Sequence, residues 1–270
     1  MSLANPVMSA MAFAITLLVA NGPCRADEPV RIGGVGGSAG TMHWLSAPLA
    51  AATGIRLEVV PSLGSGGGIK ALHAGRIDVA VSGRPMNDKE LALGLRQQMI
   101  TRTPFILVTA SKSPGGFTRA ELGQNLLGPN PRWPDGEPIR LILRHIAETD
   151  YLTLFASFPR TEEAVAVLRR RPDMPVARSD QENLDMAEQL PGALATSTLA
   201  QVRTEKRALQ VIPIDGVVPD LNTFRDGRYP FAKTFHYIVG PGVNDRAARF
   251  IAFLKSPEGQ AVLLETGSLP

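Results

Sequence analysis

Two short turns within residues 61–85 carry the side chains best suited to chemistry in this chain. The first is Gly64-Ser65-Gly66-Gly67-Gly68, ahead of a short helical stretch at residues 69–73. The second is Ser82-Gly83-Arg84-Pro85, after a strand-like run at residues 77–81. Glycines before a helix let the backbone turn tightly and leave N–H groups unpaired. The start of a helix also carries partial positive charge, which suits an anion. Two such turns close together predict a pocket made of donors, with no activated nucleophile. The same glycines would equally serve an αβ loop that binds nothing.

The elements that must hold these turns alternate. Residues 30–35 read as a strand, Gly36-Gly37-Ser38-Ala39-Gly40-Thr41 as the turn after it, and residues 42–53 as a helix stopped by Gly54. A second strand covers 55–60, and a helix capped by Asn87 or Asp88 covers 86–95. The alternation predicts an α/β chain with a parallel sheet and ligands at the strand ends. Further on, residues 103–110 are apolar and β-rich, and 128–138 form a Pro/Gly segment around Trp133. Residues 138–143 read as a strand ending at Arg144. Helices are predicted at 118–127, 152–158, 161–171 and 180–189, and strands at 193–196, 209–214 and 234–239. The segment from 198 to 205 continues the alternation, and one long amphipathic helix is predicted over 245–264.

Other chemistries compete for the first turn. Gly34-Val35-Gly36-Gly37-Ser38-Ala39 fits the loose dinucleotide pattern between a strand and a helix, with Glu58 near the distance of a ribose-binding acid. That reading is a nucleotide-cofactor-binding α/β enzyme using the Gly34–Ala39 loop. It leaves the turn at Gly64–Gly68 without a role. Gly36-Gly37-Ser38-Ala39-Gly40 also matches a nucleophile elbow, which would need Asp215 or Asp220 and His236 as partners. The elbow normally follows several strands, whereas Ser38 follows the first. Residues 64–71 are no Walker loop, because Lys70 does not follow a glycine and Ala71 has no hydroxyl. His43, His73, His145 and His236 lack metal-ligand spacing, so no metal and no cofactor is expected.

The chain has 270 residues, enough for one large domain or two lobes, and its net charge is +3. The densest basic run, Arg169-Arg170-Arg171, ends a helix-like segment where cations are ordinary, so nucleic acid is not expected as a partner. Residues 11–20 are an apolar run too short to span a bilayer, followed by Cys24-Arg25-Ala26 with small residues suited to a cleavage site. Residues 1–26 therefore read as a signal peptide cleaved near Ala26, although residues 1–9 lack the usual basic charge. Cleavage would remove the only cysteine, which suits an oxidising periplasm.

Several phrases together resemble one family. GSGGGIKAL, GRIDVAVSGRPMND, WPDGEPIRLILR, PIDGVVPDLNTFRDGRYPFAKTFHYIV and FLKSPEGQAVLLETGSLP resemble segments of the phosphate-binding proteins of ABC importers. The resemblance covers most of residues 30–270. It implies a two-lobed periplasmic-binding-protein fold of type II, in which two hinge-crossing strands (103–110 and 234–239) join the lobes. Lobe 1 would be residues 27–108 plus 233–270, and lobe 2 residues 109–232. It implies capture of a small oxyanion, foremost phosphate, by a monomer that performs no catalysis. The partner would be an ABC permease with its ATPase at the inner membrane, or, in a sensor role, a membrane receptor.

The resemblance also assigns contacts. The first-loop hydroxyl and the next amide fall on Ser38 and Ala39, with Gly40 and Thr41 beside them. The Gly-rich turn supplies Ser65 and Gly66, and the third turn Ser82, Gly83 and Arg84. The second lobe supplies Arg144, whose planar fork suits two oxyanion oxygens, then Glu148 and Thr149. Two positions depart from the family. Gly83 stands where the family has an aspartate that accepts the proton of hydrogen phosphate. Glu148-Thr149-Asp150 stands where the family has Ser-Gly-Thr. Glu148 or Asp150 could take over the acceptor role, the ligand could differ, or these carboxylates could face solvent.

Overall fold

The computed structural model describes residues 28–61 and 63–270; the predicted signal peptide lies outside them. Eight strands form its sheet: β1 (Val30–Gly34), β2 (Leu57–Val59), β3 (Val79–Ser82), β4 (Arg96–Thr109), β5 (Arg140–Leu141), β6 (Ala193–Thr198), β7 (Gln210–Val211) and β8 (Ala232–Val239). Their spatial order is β2-β1-β3-β8-β4-β6-β5, with β7 paired to β4. The expected all-parallel sheet is corrected to a mixed one. β1 runs parallel to β2 and β3, and β5 parallel to β6, while β8 and β4 are antiparallel to every neighbour.

β4 explains the two-lobed shape. Its first part pairs with β8 as far as Pro104–Ala232, and its second pairs with β6 from Phe105–Thr198 onward. Pro104 has no N–H to give, and it sits where the strand changes partner. Phe105 to Val108 enter one apolar cluster with Trp133, Leu143, Tyr151, Leu184, Tyr229 and Phe231. Ile100 enters another with Ile32, Leu45, Val79, Phe235 and Phe250. A smaller cluster of Ile69, Leu72, Ile77, Ala80, Met86, Leu95 and Ile238 packs as a separate group with β3 and β8. The polar start of β4, Arg96 to Gln98, was not foreseen, because its alternation is carried by mostly exposed polar residues. It pairs with β8 all the same.

Three local expectations change. The glycine turn is itself the first turn of a helix, Gly64–His73, entered through Gly64 at φ +68°. Gly68 is needed there because a Cβ would come within 2.8 Å of the Gly34 Cα. The helix predicted over 86–95 shrinks to Asp88–Leu91, with Asn87 and Glu90 forming a reciprocal cap. The long C-terminal helix is two helices, Asp245–Leu254 and Pro257–Glu265. Pro257 has no N–H with which to continue the first helix, and at the first turn of the second that N–H would be unpaired anyway; the Ser256 hydroxyl caps the second helix by accepting from the Gly259 amide at 3.1 Å.

Candidate functional site between the lobes

The turn after β1 folds as a short 3-10 segment, Gly36–Ser38, that leads into the helix Ala39–Thr53. Its amides face the start of the helix Asp180–Gln189, which packs with the other apolar cluster through Leu184 and Ala187. The Gly37 N–H donates to Asp180 Oδ2 at 2.9 Å. The other oxygen of that carboxylate accepts from Arg144 Nη1 at 3.0 Å. Next along the helix, the Gln181 amide donates to the Gly36 carbonyl and to Glu205, each at 3.0 Å. Residues far apart in sequence thus meet on one glycine turn.

Arg144 is only 1% exposed. It follows β5, and its own N–H donates to the Tyr151 hydroxyl at 2.8 Å, while Arg169 donates to its carbonyl. Its Nη2 lies 3.6 Å from Glu148, too far for a strong hydrogen bond, and its Nε is buried without a partner. Burial opposes the Arg144 charge, but the carboxylates of Asp180, Asp150 and Glu148 outweigh it and hold its pKa above the ordinary value. Burial pushes the Glu148 carboxyl above the usual range against the pull of Arg144, and Asp180 and Asp150 add to that push.

A second charged group crosses the same boundary. Lys233, near the start of β8 and 2% exposed, donates to Thr149 Oγ1 at 2.5 Å and to Asp150. The second Asp150 oxygen accepts from Thr196 at 3.0 Å. Burial alone would raise the Asp150 carboxyl, but Lys233, Arg144 and these hydrogen bonds hold it below the usual range. Asp150 is therefore neither solvent-facing nor free to accept a proton. The glycine at 83 now has a cause. A Cβ there would meet Thr149 Oγ1 at 2.8 Å and Lys233 Cε at 2.9 Å, so an aspartate has no room.

The expected contact residues divide. Arg144, Glu148, Thr149, Gly83 and Ser65 come together, with the Ser65 hydroxyl accepting from the Gly83 amide at 3.0 Å. Ser38 and Ala39 lie beside Gly37, but the Ser38 hydroxyl is turned back to the Val35 carbonyl at 2.8 Å. Thr41 is buried, and Gly40 packs against Thr204, whose Oγ1 would lie 2.2 Å from an added Cβ. Gly66 has open space where a Cβ would stand. Ser82 turns its hydroxyl to the Arg84 carbonyl at 2.6 Å. Arg84 leaves the group: its guanidinium makes a bidentate pair with Glu90, both bonds 2.7 Å. Asp180 and Lys233 were missed. Asp180 read as an ordinary acidic residue in a helix's first turn, whereas Lys233, alone in an apolar strand, was a signal that could have been read.

Among the described residues the competing chemistries find no assembled site. Asp215 accepts from the Arg119 amide and Asp220 caps the helix Leu221–Arg225, so neither orients a histidine for Ser38. His236 sits on β8 opposite Ser82, and burial lowers its pKa.

A family model described as a PBP superfamily domain matches residues 25–258. No curated protein matches the chain. Among solved structures, a putative phosphate ABC transporter substrate-binding protein with bound phosphate from Clostridium perfringens superposes with a TM-score of 0.77 at 16% identity, covering 90% of this chain and 99% of that one. An ABC-type phosphate transport receptor from Vibrio cholerae gives 0.62 at 18% identity, over 89% and 99% of the two chains. A periplasmic molybdate-binding protein from Azotobacter vinelandii gives 0.59 at 13% identity, again over 89% and 99%.

Proposed function

Because this chain belongs to the PBP superfamily domain family, we propose that it is an exported solute-binding protein that captures a small oxyanion, foremost phosphate, for an ABC importer. The lobes would be residues 27–108 with 233–270, and 109–232. β4 and β8 would be the crossings, with Phe105 to Val108 already packed into the second lobe. The mature protein would work in the periplasm as a monomer and dock on a permease, without catalysis of its own. The observation that carries the reading is Arg144: a buried guanidinium with an unpartnered Nε, beside a glycine turn contributed by the other lobe. Such a fork can hold two oxygens of one anion. The solved phosphate-binding and molybdate-binding neighbours share the fold, which supports an anion in this cleft.

The test is a melting-temperature screen with phosphate, arsenate, sulfate, molybdate and phosphonates, with NAD as the comparison. At a hundred times its dissociation constant, a ligand stabilises by about 2.7 kcal/mol. For a domain of this size that is a rise of roughly 5 to 11 °C. Arg144→Ala should abolish the rise. A shift with NAD alone, or an unchanged oxyanion shift in the variant, would end the proposal.

A further inference from the structure

We infer that Asp180 is the built-in occupant of the anion seat: it latches the lobes without ligand, and an oxyanion enters only by displacing it. The inference rests on the oxyanion reading above for its ligand, though not for its geometry. One Asp180 oxygen takes the Gly37 amide and the other takes Arg144, at 2.9 and 3.0 Å. That is the bridge an oxyanion would make between a helix-leading turn and a guanidinium. Gln181 reinforces it by holding the Gly36 carbonyl at 3.0 Å. The side chain of Asp180 is 8% exposed, so the contact is interior and not a surface ion pair.

The seat is also under-filled. A single carboxylate oxygen engages Nη1, while Nε has no partner and Nη2 has only Glu148 at 3.6 Å. A tetrahedral oxyanion can engage two guanidinium nitrogens side by side, which Asp180 does not do here. Charge points the same way. Arg144 and Lys233 face Asp180, Asp150 and Glu148, so two cations already meet three carboxylates. An arriving anion would add to that excess of negative charge unless a carboxylate withdraws. Asp150 is fixed by Lys233 and Thr196, and Glu148 lies at the edge of the guanidinium. Asp180 holds the two groups the ligand needs, and it sits at the first turn of its helix, where it can swing away.

The expected behaviour is a ligand-free protein that is already closed and binds weakly. X-ray scattering of the wild type should give the same radius of gyration with and without saturating phosphate. Asp180→Asn keeps the shape but removes the charge. Its ligand-free radius should exceed the wild-type value, and its phosphate affinity by calorimetry should rise roughly ten- to a hundredfold, the worth of one charge-assisted hydrogen bond. A wild type that is expanded when empty and contracts on phosphate overturns the latch. So does an Asp180→Asn protein with unchanged radius and unchanged or weaker affinity. If Asp180→Asn opens while neither protein binds any oxyanion, the latch stands and the proposed ligand falls. If the variant does not fold, the wild-type scattering pair alone decides.

Discussion

Lys233→Met tests whether the Lys233–Asp150 pair ties β8 to the helix Thr149–Ser157. Lys233 is 2% exposed, and its ammonium donates to Asp150 and Thr149. Without it, the buried Asp150 keeps only the Thr196 hydroxyl and the more distant charge of Arg144. Removing one partner of a buried pair costs about 3–5 kcal/mol, because the other is left desolvated and uncompensated. For a domain of this size that is a fall in melting temperature of roughly 6 to 20 °C. The double variant Lys233→Met, Asp150→Asn should recover most of the loss, since neither charge then remains. The pH dependence adds a check of sign. The Asp150 carboxyl titrates below its unfolded value, so its contribution is present above about pH 3.9 and lost as pH falls through the lower folded value. In Lys233→Met, burial is left to dominate, and Asp150 takes up a proton at higher pH. The gap between variant and wild type should therefore narrow between pH 7 and pH 4 in thermal melts followed by circular dichroism. A variant melting within about 2 °C of wild type at pH 7, or a double variant no better than the single, would refute the argument.

Two further perturbations follow from the same contacts. Gly83→Ala should push its Cβ onto Thr149 Oγ1 and Lys233 Cε, both under 3.0 Å away. The overpacking cost is about 1–3 kcal/mol, read by calorimetry, and a neutral result would mean that the lysine is not pinned. Glu148→Gln should stabilise at neutral pH. The Glu148 carboxyl is held above its unfolded value, so the penalty for ionising it grows as pH rises through about 4.3 and is complete above the folded value. The variant should melt higher than wild type at pH 7 and level with it at pH 4; the reverse order would contradict the burial assigned to Glu148.

Much of this scaffold was legible because its signals are local. Ser179-Asp180 and Asn244-Asp245 announce helix starts by their caps, and Gly54 at φ +73° ends the first long helix as a glycine stop should. What failed was non-local. Whether β8 runs parallel or antiparallel to β3 is decided by how the chain returns from the second lobe, which no window of sequence contains. The start of β4 has no apolar alternation, because its side chains stay mostly exposed and only its backbone is satisfied, by pairing to β8. The site divided in the same way. Arg144 could be placed from the motif around it. Arg84 could not, because its loss to Glu90 depends on a helix shorter than its apolar pattern suggested. Asp180 was invisible as a site residue because its target, the Gly37 amide, lies 143 residues away.

The departures at 83 and at 148–150 are one change and not two. Lys233 fills the space beside Gly83, so a side chain there is excluded; the buried ammonium then needs a counter-charge, and Asp150 provides it. Asp150 is not free to accept a proton from a bound oxyanion, since both its oxygens are taken. Asp180 is held by the Gly37 amide and Arg144, so Glu148 is the acid at the guanidinium's edge with no hydrogen bond to it, and burial pushes its carboxyl up. A protonated Glu148 donates a hydrogen bond, and an ionised one only accepts. Under the proposed function, discrimination between a protonated and a fully ionised oxyanion therefore rests on the protonation state of one residue, not on a fixed aspartate. The cleft would favour fully ionised anions as pH falls and protonated ones as it rises.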